Sequence, residues 1–187
     1  VLAWRSEACP ARDQPTEAME VVRRLVAEAR AEANLGASRL LGVGVAMAAP
    51  LAPNKPGTFP PLFLPAWRDV RLLEDLQLPD DPWLIVDNDA NVGALAESWW
   101  GAGQDGEDLA FIKLGTGVGA GFVLDGKIHR GAGGAAGELG HLVVDPHGPP
   151  CVCGLEGCLT TLIGTPALLA RARALRDRAP HSLLPEG

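Results

Sequence analysis

The chain has 187 residues, 47% of them hydrophobic, and a formal net charge of −7. That length allows one ordinary core or two small lobes, and the acidic balance excludes a surface for nucleic-acid phosphates, which would need clustered Lys and Arg. No window reaches the roughly 18 uninterrupted apolar residues of a membrane span. Val1-Leu2-Ala3-Trp4-Arg5 has neither the basic start nor the apolar stretch of a signal peptide, so a cytoplasmic location with no membrane partner is expected. The start at Val and the end at Pro180 to Gly187, without a clear terminal element, lead us to expect further segments on both sides.

Thr16 can cap a helix with Glu17 and Glu20 in its first turn. Met19, Val22, Leu25, Val26 and Ala29 then recur on one face until Gly36, as in a surface helix on a sheet. Leu40 to Ala46 is an apolar, β-branched run that reads as a buried strand, and a proline-rich loop follows from Pro50 to about Pro65. Trp83 to Val86 predicts a short strand ending in Asp87-Asn88-Asp89, with a helix over Ala90 to Trp100 closed by Gly101. Leu109 to Leu114 and Gly121 to Leu124 predict strands around a glycine turn, and Asp125-Gly126 predicts a hairpin into Lys127-Ile128-His129. Small residues and glycines fill Gly131 to Gly140. Thr165-Pro166 opens a last helix with Leu168, Leu169, Ala172 and Leu175 on its buried side.

Three of the four cysteines fall in Cys151-Val152-Cys153-Gly154-Leu155-Glu156-Gly157-Cys158, with His141 ten residues ahead of the first. Three thiolates and one imidazole form the closed tetrahedral set of a structural zinc site. Gly154 and Gly157 let the backbone wrap a metal, and Pro149-Pro150 stiffen the approach. His147 is the rival fourth ligand, and three buried free cysteines are the plain alternative. Gly115-Thr116-Gly117-Val118-Gly119-Ala120-Gly121 follows an apolar strand. Such a turn either cradles a phosphate with its N–H groups or is a simple glycine hairpin. Asp89 sits where a strand passes into a helix, the edge at which open α/β sheets place ligands; it can take a hydroxyl proton or merely cap the helix. Glu138 either binds a hydroxyl or is a helix-end charge.

Asp87-Asn88-Asp89-Ala90-Asn91, then LGTGVGAG, GAGGAAGELGH and CVCGLEGC, in this order and spacing, closely resemble the ROK family of bacterial sugar-dependent repressors and sugar kinases, over about Leu41 to Gly164. The resemblance implies an α/β, actin-like or hexokinase-like ATPase fold of two lobes. Residues 1–107 would be the remainder of the N-terminal lobe, and 108–187 a partial C-terminal lobe carrying the zinc loop. It implies that Asn88, Asp89, Glu138 and His141 contact a sugar, with Asp89 the general base in a kinase. Gly115, Thr116, Gly117 and Gly119 would hold ATP with Mg2+ in a kinase, and His141, Cys151, Cys153 and Cys158 would hold a structural zinc that shapes the sugar loop.

This chain departs from the family pattern in three ways. It contains no Asp-x-Gly-Gly-Thr segment, the family's first phosphate loop. It has Thr160 where the family usually has the sugar-binding Glu of GCLE. It has Pro61-Leu62-Phe63-Leu64-Pro65-Ala66-Trp67 where many kinases have an Asn before a Leu-Pro-Gly-Trp segment. The leading expectation is therefore the sugar-binding effector region of a regulator similar to xylose repressors. A small-molecule sugar would be its ligand, DNA would be contacted only through a segment outside this chain, and the assembly would be a homodimer or homotetramer. The rival is an ATP-dependent, glucokinase-like sugar kinase. A third reading is a zinc-stapled oligomerisation domain that binds no small molecule.

Overall fold

The computed structural model describes residues 1–36, 38–51 and 57–176. Part of the proline-rich loop and the stretch from Pro180 to Gly187 thus lie outside the described residues. The chain divides into two compact units, residues 1–89 with 132–134, and 90–131 with 135–187.

In the first unit, α1 (Pro15–Glu32) starts two residues earlier than a Thr16 cap would place it. Gln14 is the cap and makes no side-chain bond; Pro15 at the first helical position supplies a pre-set φ and lacks an N–H that would go unpaired there anyway. The strands β1 (Gly42–Met47) and β2 (Trp83–Asn88) pair in parallel, from Gly42 opposite Trp83 to Met47 opposite Asn88. Between them lie a 3-10 turn, Pro65–Trp67, and the one-turn helix α2 (Leu72–Asp75). One face of the strand pair, Val43, Val45, Met47, Leu84 and Val86, packs on a core that includes Ala18 and Met19 of α1, Phe59, Trp67, Leu72 and Leu76. Helix α1 does lie on the sheet, as its periodicity predicts, although Val22 on the predicted inner face is exposed. Phe59 meets Trp67 edge-on at 5.6 Å, and Trp67 Nε1 donates to Ala11 O at 2.8 Å, tying the N-terminal segment to the core.

In the second unit, α3 (Asp89–Trp100, its first residue belonging to the first unit) is followed by the antiparallel strands β3 (Leu109–Leu114), β4 (Val118–Leu124) and β5 (Lys127–Ile128). The strand β4 begins three residues before the predicted Gly121. Its glycines are used for close approach, since a Cβ on Gly121 would stand 2.3 Å from Ala90 O of α3. Asp125 and Gly126, at φ 50 and 70, form the predicted two-residue hairpin turn. A 3-10 turn (Leu139–His141), the short helix α4 (Leu159–Ile163) and α5 (Thr165–Arg176) complete the unit. The expected inner side of α5 is not buried: Leu168, Leu169 and Leu175 are exposed, because periodicity marks an apolar stripe without supplying its cover. Among the described residues no helix is long and apolar enough to cross a membrane.

Candidate functional site

The strand β5 pairs only with Val123 and Leu124, so the first half of β4 must satisfy its outward backbone groups elsewhere. Two segments do this. Ala120 N–H donates to Gly137 O at 2.7 Å, and Val118 N–H donates to Thr160 Oγ1 at 3.2 Å. The turn from Gly137 to His141 can lie this close only because two of its residues lack side chains. A Cβ on Gly137 would stand 1.9 Å from Ala120 O, and one on Gly140 would stand 2.1 Å from Val118 O.

This turn delivers His141 to the three cysteines. One ligand atom from each of His141, Cys151, Cys153 and Cys158 lies within 4.8 Å of the others. Cys151 Sγ is 3.4 Å from His141 Nδ1, and Cys153 Sγ is 3.5 Å from Cys158 Sγ. A tetrahedral site with metal–sulfur bonds of about 2.3 Å has edges of about 3.8 Å, so the donor set fits a tetrahedral cation in number, kind and spacing. His147, the rival ligand, is not part of this group, and its N–H donates to Asp145 Oδ1 at 3.0 Å. The loop closes through Val144 and Asp145 N–H to Gly157 O at 3.0 and 3.2 Å and Gly157 N–H to Pro149 O at 2.8 Å. Gly157 is obligatory: its φ is +64, and a Cβ there would stand 1.5 Å from Asp145 O.

Burial lowers the His141 pKa, which keeps the imidazole neutral as a ligand must be. Its Nε2 faces Glu138 Oε2 at 3.8 Å, too long for a hydrogen bond. Burial, then hydrogen bonding to Cys153 and Cys151, pushes the Cys158 thiol up to about 12. Left to itself this sulfur stays protonated; a divalent cation would displace the proton and take the thiolate.

The remaining predicted residues fall in two places. Asn88 ends β2, with Nδ2 donating to Ala49 O at 3.2 Å and its N–H to Asp87 Oδ1 at 2.8 Å; Asp89 is the first residue of α3. Both belong to the first unit, and Glu138 and His141 to the second. Of the glycine segment, Gly115, Thr116 and Gly117 make the turn, whereas Gly119 lies inside β4 opposite Lys113. The turn is tied internally: Gly115 N–H donates to Gly117 O at 3.0 Å, and Thr165 N–H donates to Gly115 O at 2.9 Å. Lys113, which is not among the predicted site residues, lies beside the turn, its Cε 3.7 Å from where a Gly115 Cβ would stand. A lysine inside an otherwise apolar strand was the available signal. Thr160, where the family pattern has a carboxylate, accepts the Val118 N–H through its hydroxyl.

The ROK family model matches residues 5–184. The chain belongs to the ROK family. ROK proteins similar to it include a glucokinase of Halalkalibacterium halodurans, 50% identical over 97 residues, or 51% of this chain and 29% of that protein. The xylose repressor of Bacillus subtilis is 31% identical over 130 residues, or 70% of this chain and 33% of that one. A solved ROK glucokinase from Streptomyces griseus, in complex with glucose and AMPPNP, superposes with a TM-score of 0.68 at 34% identity, covering 86% of this chain and 51% of that chain. The chain thus has the α/β, hexokinase-like fold of the family, and it spans from about a third to half the length of these relatives. Kinases and repressors both stand among its relatives.

Proposed function

We propose that this chain is the sugar-binding, effector-sensing part of a ROK-family transcriptional regulator of carbohydrate use. One structural zinc ion at His141, Cys151, Cys153 and Cys158 holds its site loop. In this reading Asn88, Asp89, Glu138 and His141 accept and donate hydrogen bonds to sugar hydroxyls, and the zinc shapes the loop without entering any reaction. The protein acts in the cytoplasm as a homodimer or homotetramer, and DNA is contacted by a segment outside this chain.

The observation that carries sensing over transfer is the state of the glycine turn. The Gly115 and Val118 N–H groups are spent on Gly117 O and Thr160 Oγ1, which leaves the Thr116 and Gly117 amides as the turn's donors. Phosphoryl transfer is achieved by positioning and by neutralising phosphate charge from several sides, and two amides are a thin cradle for it.

The second reading is an ATP-dependent sugar kinase, with Asp89 as general base and Gly115, Thr116, Gly117 and Gly119 along the phosphates with Mg2+. It is favoured by Asp89 at the head of α3 and by the 50% identity to a glucokinase. Calorimetry across neutral hexoses and pentoses, with ADP release followed in parallel, tests both. Sensing predicts a sugar that binds, binds about tenfold or more weakly to Asp89→Asn at unchanged zinc content, and gives no turnover. Sugar-dependent ADP release that Asp89→Asn abolishes puts the kinase first. Absence of heat for every sugar in zinc-replete protein removes both.

A further inference from the structure

Thr160 stands where the family pattern has a carboxylate, and its surroundings assign it a different task. In an antiparallel ladder alternate N–H groups face the neighbouring strand and its opposite side. Gly119 lies opposite Lys113 in the β3 ladder, and the Val118 and Ala120 amides flanking it point the other way, to Thr160 and Gly137. Thr160 Oγ1 accepts the Val118 N–H and stands 3.6 Å from where a Gly117 Cβ would be; Thr160 Cβ stands 3.3 Å from where a Gly140 Cβ would be. One residue therefore touches the glycine turn and the turn that carries His141.

Helix α4, on which Thr160 sits, is fastened at both ends. At its start Cys158 is fully buried in the metal cluster, Leu159 N–H donates to Leu142 O at 2.9 Å, and Thr161 Oγ1 donates to Cys158 O at 2.7 Å. At its end Gly164 N–H returns to Thr160 O at 3.0 Å, and the missing Gly164 side chain admits Thr116 O, which would lie 2.8 Å from a Cβ. The next residue, Thr165, holds Gly115 O. Five helical residues thus span the distance from a metal ligand to both sides of the glycine turn.

We infer that α4 is a strut through which metal at the Cys3His cluster fixes the glycine turn, and that Thr160 is the positioning residue that makes the contact. By occupying the Val118 N–H, the hydroxyl decides that the Thr116 and Gly117 amides are the ones offered to a ligand. The inference holds for a sensor and for a kinase alike, and rests only on metal binding at the cluster. Coupling of this kind needs an element that both sites bias, and α4 is that element.

The test is amide hydrogen exchange of Val118, read by NMR with Gly119 as the control and zinc content measured on each sample. Thr160→Val keeps the shape and removes the acceptor. It should speed exchange at Val118 about tenfold or more, the size expected for one lost hydrogen bond, with zinc content and Gly119 unchanged. Thr160→Ser should restore the slow rate. Removal of zinc from the wild-type protein by a chelator should speed Val118 while Gly119 keeps its protection. The inference is overturned by an unchanged Val118 rate in zinc-replete Thr160→Val, by Val118 protection that survives metal removal, or by equal loss at Val118 and Gly119. Zinc-free protein as purified would instead refute the metal site itself.

Discussion

The end of β2 and the loop from Gly137 to Cys158 both carry candidate site residues, and they are held by different forces. At the end of β2, Asn88 is registered against Met47, and the alternate residues Val86 and Leu84 pack on the first unit's core. Order there is inherited from a ladder and a hydrophobic face. The loop has one three-residue turn, and Leu142, Val143, Val144, Val152 and Leu155 are all exposed. Its order comes from backbone bonds that glycines permit and from four converging ligand groups. A segment that buries so little apolar surface of its own needs a cross-link to remain in one conformation. Metal removal should therefore separate the two regions.

The largest effect is expected from Cys153→Ser, which removes one thiolate. Structural zinc contributes on the order of 10 kcal/mol in small zinc-folded peptides, so the variant should lose its zinc and the order of the loop while the β1–β2 ladder persists. Metal analysis and hydrogen exchange mapped along the chain would check this. Next is Gly157→Ala, which meets both a positive φ and the Asp145 carbonyl. It should cost about 3 kcal/mol or more, visible as weaker zinc retention in a chelator competition although every ligand is intact.

The smallest effect belongs to the first unit and lacks any link to metal. Asp80 accepts from Arg30 Nη1 at 2.5 Å and from Leu40 N–H at 3.2 Å, and these bonds, Arg30 first, hold its pKa below the usual carboxylate range. A carboxylate with a depressed folded pKa stabilises the fold above its unfolded pKa and stops doing so as the pH falls through the folded value. Asp80→Asn should therefore unfold at a slightly lower urea concentration at neutral pH, and the difference should vanish well below pH 3.8.

Much of this organisation was legible in the sequence. The strand over 109–114, the helix ending at Gly101 and the Asp125-Gly126 hairpin follow from local pattern and turn chemistry, which act over a few residues. The ligand cluster was readable from cysteine spacing, because few other arrangements place three thiols within eight positions. What escaped depends on contacts distant in sequence. Gly119 looks like part of a turn until Ala90 and Gly137 are known to press against β4. Thr160 resembles a missing carboxylate until Val118, 42 residues away, is seen to donate to it. The α5 leucines look inward-facing because a stripe implies a cover that the described residues do not provide.

The order of the loop depends most heavily on the metal, and metal analysis of the protein purified without chelators tests this most directly. One tightly held zinc per chain is the predicted result, lost in Cys153→Ser and retained in Asp89→Asn. Less than about half an equivalent of any divalent metal in the wild-type protein, with the loop still protected from exchange, would contradict it.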